Sequence, residues 1–212
     1  MFAMPPATQA LILTNVVVFL MQSLGAGNGL AAFALWPIGS GAFDPWQVVT
    51  YAFLHGGLSH LAFNMFGLYM FGGELERVWG PRRFLIFYFI SVLGAAAAQL
   101  GVAAWTGGMY PTVGASGGLF GLLVGFAMLF PHRKIVPLIP PIPMPAWVFV
   151  TLYGLIELGL GVTGSMSGVA HFAHLGGMLF GWLLIRYWRG QPPFKPRPPG
   201  PPKRPNHLRS IK

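Results

Sequence analysis

Residues 112–125 read TVGASGGLFGLLVG, with a single hydroxyl, Ser116, at the head of an apolar run and little bulk on either side of it. Gly117, Gly121 and Gly125 fall four apart. On a helix they share one face and form a small-residue ridge of the kind that lets membrane helices approach closely. A second ridge, Gly177 and Gly181, lies in HFAHLGGMLFG at 171–181. Two such ridges in one chain predict helices pressed together in a bilayer.

Composition agrees. Of 212 residues, 54% are hydrophobic and only 8% charged, with 18 Phe and 7 Trp, and the mean hydropathy is +0.62. Soluble domains carry about a quarter charged residues, so the chain reads as an integral membrane protein. It has no Cys, which excludes disulfides and thiol chemistry. The net charge of +9 would suit nucleic acid, but no Lys or Arg precedes Arg77 and eight of the 13 lie from Arg186 onward. That distribution reads as membrane topology plus a basic tail. The expected partner is the lipid bilayer, with no nucleic acid.

Six segments are apolar enough to be spans, at about 7–24, 57–74, 84–104, 116–130, 146–162 and 171–188. The expected fold over 1–189 is therefore an all-α, polytopic six-transmembrane-helix bundle. The first segment has no basic n-region and five more follow it, so it reads as a retained helix rather than a signal peptide. Arg77, Arg82, Arg83, Arg133, Lys134 and the C-terminal basic residues fall on one side of this arrangement. The connections 25–56, 105–115 and 163–170 hold no Lys or Arg. The positive-inside rule then places both termini in the cytoplasm. Trp36, Phe43 and Trp46 suit an outer segment lying in the interface. The run QPPFKPRPPGPPKRPNHLRSIK, over 190–212 less its first residue, is too rich in Pro for helix. Residues 190–212 are expected to be a disordered, basic cytosolic tail. Compact size and the lack of a targeting extension suggest a prokaryotic plasma (inner) membrane, with the site opening to the outer side.

Intramembrane polar residues are costly and point to function. They occur here in three places: His55, His60 and Asn64 entering span two, Ser116 at the head of span four, and His171 and His174 entering span six. Spans two, four and six all run from outside to inside, so these groups meet at one depth. Span four, about 15 residues or roughly 22 Å long, is too short for a ~30 Å hydrocarbon core. Ser116 therefore starts below the outer surface, and water must reach it through a cavity.

A serine becomes a useful nucleophile beside a histidine base. His174 lies three residues before Gly177, on nearly the same face, and Ser116 one before its own ridge, so packed ridges would bring the two together. An acid would complete a triad. However, Glu74 and Glu76 lie on the cytoplasmic side, Asp44 lies in the outer segment, and Glu157, in span five, has no expected histidine neighbour. A Ser–His dyad is the resulting reading. Helix-terminal N–H groups with His60 and Asn64 supply donors for an oxyanion, and Gly114 and Gly117 leave room for a substrate backbone. No metal or cofactor is required. His171 and His174 at i, i+3 also resemble metal-ligand spacing, but no carboxylate is expected at their depth. His55, at the membrane edge, reads as support for the outer segment. Two readings compete: a non-catalytic binder of membrane clients, and a small transporter using Glu157 as an ion site.

With these motifs in order, the chain resembles the rhomboid family of intramembrane serine proteases over about 10–188. The resemblance rests on His-x4-His-x3-Asn (His55, His60, Asn64), Gly-x-Ser-Gly (Gly114 to Gly117) and His-x-x-Gly-x-x-x-Gly (His174, Gly177, Gly181). The segments FDPWQVVTYAFLHGG (43–57) and GGELERVWG (72–80) add to it. It implies a bundle with a water-filled cavity open to the outside, Ser116 as nucleophile and His174, rather than His171, as base. The Ser116 N–H, His60 and Asn64 would form the oxyanion hole, and Glu76 and Arg77 would be structural. Phe120 would replace a tyrosine that stacks on the histidine in many bacterial members. The implied substrates are single-span membrane proteins. The chain looks like a minimal form, without the extra domains or seventh span of some relatives.

Overall fold

The structure, a computed structural model, describes residues 3–138, 140–164 and 170–194. The expected tail lies outside the described residues from 195 onward. The fold is helical. Helix α1 (Pro6–Met21) opens with Pro at its first turn, where the missing N–H costs nothing. Short α2 (Gly27–Leu30) and α3 (Gln47–Thr50) punctuate the long connection that follows. Helix α4 (Leu58–Gly67) continues through a π-helical turn at Leu68–Gly72 into α5 (Gly73–Trp79). Next come α6 (Pro81–Thr106) and α7 (Ser116–Leu129). A two-residue antiparallel pair, β1 (Lys134–Ile135) with β2 (Met144–Pro145), leads into α8 (Ala146–Thr163) and α9 (His171–Arg189).

Among the described residues, three helical stretches, Pro6–Gly25, Pro81–Thr106 and Ala146–Thr163, are long and apolar enough to cross a membrane. Their outer faces carry exposed apolar side chains, among them Leu13 and Val17 on α1 and Leu155 and Ile156 on α8. Lipid solvates such faces. The chain is an integral membrane protein.

The helix that holds the second expected span, 57–74, continues to Trp79 through Glu74, Glu76 and Arg77. The charges are accommodated because each has a partner. Glu76 is buried, accepts the N–H groups of Ala7 and Thr8 at 2.9 and 2.7 Å, and also takes the Thr8 hydroxyl at 2.8 Å. A carboxylate thus caps the N-terminus of α1 from another helix, where the dipole favours negative charge. Glu74 pairs with Arg133 at 3.0 Å and Arg77 at 3.6 Å.

The centre is made by α6, α7 and α9 in close approach. A Cβ on Gly177 would overlap the Gly117 carbonyl oxygen, and one on Gly181 would lie 3.2 Å from the Gly121 Cα. On the α6 side, a Cβ on Gly176 would reach the Gly94 carbonyl at 2.6 Å, and Gly117 meets Ala95. The two ridges seen in the sequence are therefore in contact. Around them Phe84, Phe87, Tyr88, Val92 and Leu122 form a fully buried core.

Gly177→Ala should destabilise the protein by about 1–3 kcal/mol, because the obstacle is backbone and cannot rotate away. Gly101→Ala, on an open face of α6, should leave stability unchanged or slightly raised. Thermal unfolding of both variants in one detergent checks the contrast.

Candidate active site

The segment before α4 is pinned by buried polar groups to the chain that leads to Ser116. Gln47 is fully buried and makes three bonds: its amide N donates to the Ala32 and Ala42 carbonyls at 3.0 and 2.8 Å, and its Oε1 accepts the Trp36 N–H at 3.0 Å. Leu35 and Thr112 exchange backbone bonds, each 2.9 Å, tying this segment to the strand that leads to Ser116. Tyr51 completes the tie. Its carbonyl accepts the Gly114 N–H at 2.9 Å, and its hydroxyl donates to Val92 on α6 at 2.8 Å. Burial pushes the Tyr51 phenol far up, so it stays a donor. Of the aromatics expected in the interface, Trp46 is exposed while Trp36 and Phe43 are half-buried.

Ser116 is the first residue of α7, where helical N–H groups lack intrahelical acceptors and the dipole is positive. His174, in the first turn of α9, places Nε2 at 2.8 Å from Ser116 Oγ. Phe120 lies flat on the imidazole, with ring centroids 4.2 Å apart and planes 4° from parallel. Gly114 has φ +128°, a region open to glycine, and a Cβ there would come within 2.7 Å of the His60 ring and 3.6 Å of Ser116 Oγ. His60 therefore faces the serine. The Gly56 N–H points at its Nδ1 at 3.4 Å, which leaves the proton on Nε2, the side turned to Gly114 and Ser116. Asn64 is buried one turn below and donates to the His60 carbonyl at 3.0 Å. His60, Asn64, Ser116, Phe120 and His174 all line a cavity of about 960 Å³. Its walls include Phe63, Phe66 and Tyr69, exposed on the α4 side, and Phe149 and Tyr153 of α8.

Glu157 overturns one expectation. It was expected to have no histidine neighbour, and the absence of a carboxylate at the depth of the histidines was the reason for setting a metal aside. Instead its Oε2 lies 2.7 Å from His171 Nδ1 and 2.9 Å from His174 Nδ1. The three could group around an ion, with ligand atoms within 4.8 Å of one another. The sequence shows which residues share a face with Glu157. Gly154, Glu157 and Gly161 stand at i, i+3 and i+7, one helical face. That face meets α9: a Cβ on Gly154 would touch Met178, and one on Gly161 would touch Phe172 and His171. His171 thus bonds Glu157 rather than the serine.

His55 is buried outside this cluster. Its backbone is held by Gln22, which accepts its N–H at 3.1 Å and donates to its carbonyl at 3.3 Å. Its ring meets the edge of His60 at 5.0 Å, and neither ring nitrogen has a hydrogen-bond partner among the described residues. Burial, helped by the neighbouring His60, pushes it down to about 4. It is a neutral packing group.

The family model described as the Rhomboid domain matches residues 42–190. Among similar proteins, Rhomboid protein 1, mitochondrial, of Saccharomyces cerevisiae is 34% identical over 66% of this chain and 42% of its own length. Rhomboid protease GluP of Bacillus subtilis is 29% identical over 84% of this chain and 34% of its own. Rhomboid protease GlpG of Pectobacterium atrosepticum is 25% identical over 86% and 62%. The chain therefore spans less than two thirds of the length of these relatives, which come from bacterial and eukaryotic organisms alike.

Gly114→Ala should cut the reactivity of Ser116 toward a fluorophosphonate at least tenfold, since the added methyl strains the backbone and displaces His60; the labelling rate measures it. For His55, the unfolded chain takes up a proton near 6.5 and the folded chain only near 4. Stability should therefore fall as pH drops through that window. Thermal melts at pH 7 and 5 should show a smaller loss in His55→Phe than in wild type.

Proposed function

The chain belongs to the rhomboid family, and on that premise we propose that it is an intramembrane serine endopeptidase working through Ser116 and His174. The observation that carries the reading is the 2.8 Å contact between His174 Nε2 and Ser116 Oγ at a helix N-terminus inside a large cavity. In the reaction Ser116 Oγ attacks the scissile carbonyl while its proton passes to His174 Nε2. The oxyanion is met by the Ser116 N–H, by His60 Nε2–H and by the Asn64 amide, donors held in place before the charge develops. His174 then gives its proton to the leaving amine. Water, deprotonated by the same nitrogen, hydrolyses the acyl-enzyme.

The proposed topology has six spans, both termini cytoplasmic and the site in the outer leaflet. Its support is the one-sided distribution of Lys and Arg. The proposed substrates are membrane proteins, single-span ones in the first instance. A helix must unwind before its carbonyl can be attacked, and a cavity walled by exposed aromatics of α4 and by α8 suits a segment arriving from lipid. Because Ser116 and His174 are both present and in contact, the non-catalytic reading is not adopted. The mechanism requires no metal or cofactor.

Wild-type protein in detergent should be labelled by a fluorophosphonate probe and should cleave a single-span model substrate. Ser116→Ala should abolish both, and His174→Ala should reduce cleavage by at least 10²-fold with the fold intact by circular dichroism. Equal labelling of wild type and Ser116→Ala would sink the proposal.

A further inference from the structure

We propose that Glu157 is a positioning residue for the base, so that the site works as Ser116–His174–Glu157 rather than as a dyad. The inference rests on the protease reading above. Glu157 lies on α8, is 8% exposed, and presents one oxygen to two imidazoles. An ionised carboxylate can only accept hydrogen bonds. Both Nδ1 atoms are then donors, and His174 is fixed as its Nδ1–H tautomer. Its Nε2 is left with a lone pair aimed at the Ser116 hydroxyl, the state a general base needs.

The same contact acts later in the reaction. When Nε2 takes the serine proton, the ring, 8% exposed, becomes a cation. A carboxylate oxygen 2.9 Å away opposes that charge, where low dielectric makes the attraction strong. The proton passes from Ser116 Oγ to His174 Nε2 and from there to the leaving amine; Glu157 keeps its charge throughout. His171, at 2.7 Å from the same oxygen, holds the carboxylate in line. Phe120 covers one face of the ring but leaves rotation in its plane undetermined. Glu157 sets that rotation.

The cluster could instead be a metal site, since its three ligand atoms lie close together. The spacings argue against it. Ligands around tetrahedral zinc, with bonds of about 2.0–2.1 Å, stand roughly 3.3 Å apart. The oxygen–nitrogen separations here, 2.7 and 2.9 Å, are hydrogen-bond lengths.

The test compares wild type, Glu157→Gln, Glu157→Ala and Ser116→Ala, all treated with EDTA. It follows fluorophosphonate labelling rate, kcat and KM on one model substrate, and thermal midpoint. Glu157→Gln should lower the labelling rate and kcat by about 10²-fold, with KM within about twofold and an unchanged midpoint; Glu157→Ala should lose at least as much. Wild type should also show a far-downfield imidazole proton by NMR, assigned to His174 Nδ1–H, a readout that holds even if the variants fold poorly. Wild-type labelling rates in a folded Glu157→Gln, or no such proton in wild type, would overturn the proposal. So would zinc inhibition of wild type that Glu157→Gln relieves while retaining full kcat, which would assign the cluster to metal. If wild type itself fails to label above Ser116→Ala, the protease reading falls instead.

Discussion

The contact between Gly117 and Gly177 governs the distances that matter. The two backbones come so close that a Cβ at Gly177 would overlap the Gly117 carbonyl oxygen. In lipid there is little hydrophobic force to drive helices together, so packing and hydrogen bonds must hold them. Side chains of any size would keep α7 and α9 apart. Ser116 sits one residue before this contact on α7 and His174 three residues before it on α9. A rigid helix carries the fit at the glycines directly to the 2.8 Å separation of Oγ and Nε2. The separation of these two polar atoms is thus inherited from the backbone packing beside them.

Around that contact, buried polar groups act as specific joints. Glu76 caps α1 from α5 and ties the two helices together. Gln47 satisfies three backbone groups of the segment before α4 at once, and removing it would leave all three to be desolvated unpaired. Tyr51 links that segment both to the Gly114 turn and to α6. Glu157 joins α8 to α9 through two histidines. Each joint resists sliding or rotation that apolar packing alone would permit, because any shift strands a polar group without water.

Much of this was legible in the residues. Apolar runs placed the helices, since a chain in lipid must satisfy its backbone internally. The glycine spacing pointed to α7 and α9 as partners, and the positions of Ser116, His60, Asn64 and His174 at helix starts put them at one depth. The cap that Glu76 makes on α1 spans 69 residues of sequence, which no local pattern announces.

What the sequence determined by itself is which residues share a face and which stand at the same level, because helical periodicity and bilayer thickness are fixed quantities. What only the tertiary structure decided is how each helix is turned about its axis. Glu157 could have faced lipid, α7 or α9 with the same hydropathy. Its face was chosen by Gly154 and Gly161 fitting against Met178 and Phe172, a matter of shape between two surfaces distant in sequence. That rotation brings a carboxylate to the back of His174 and turns an expected pair into a line of three.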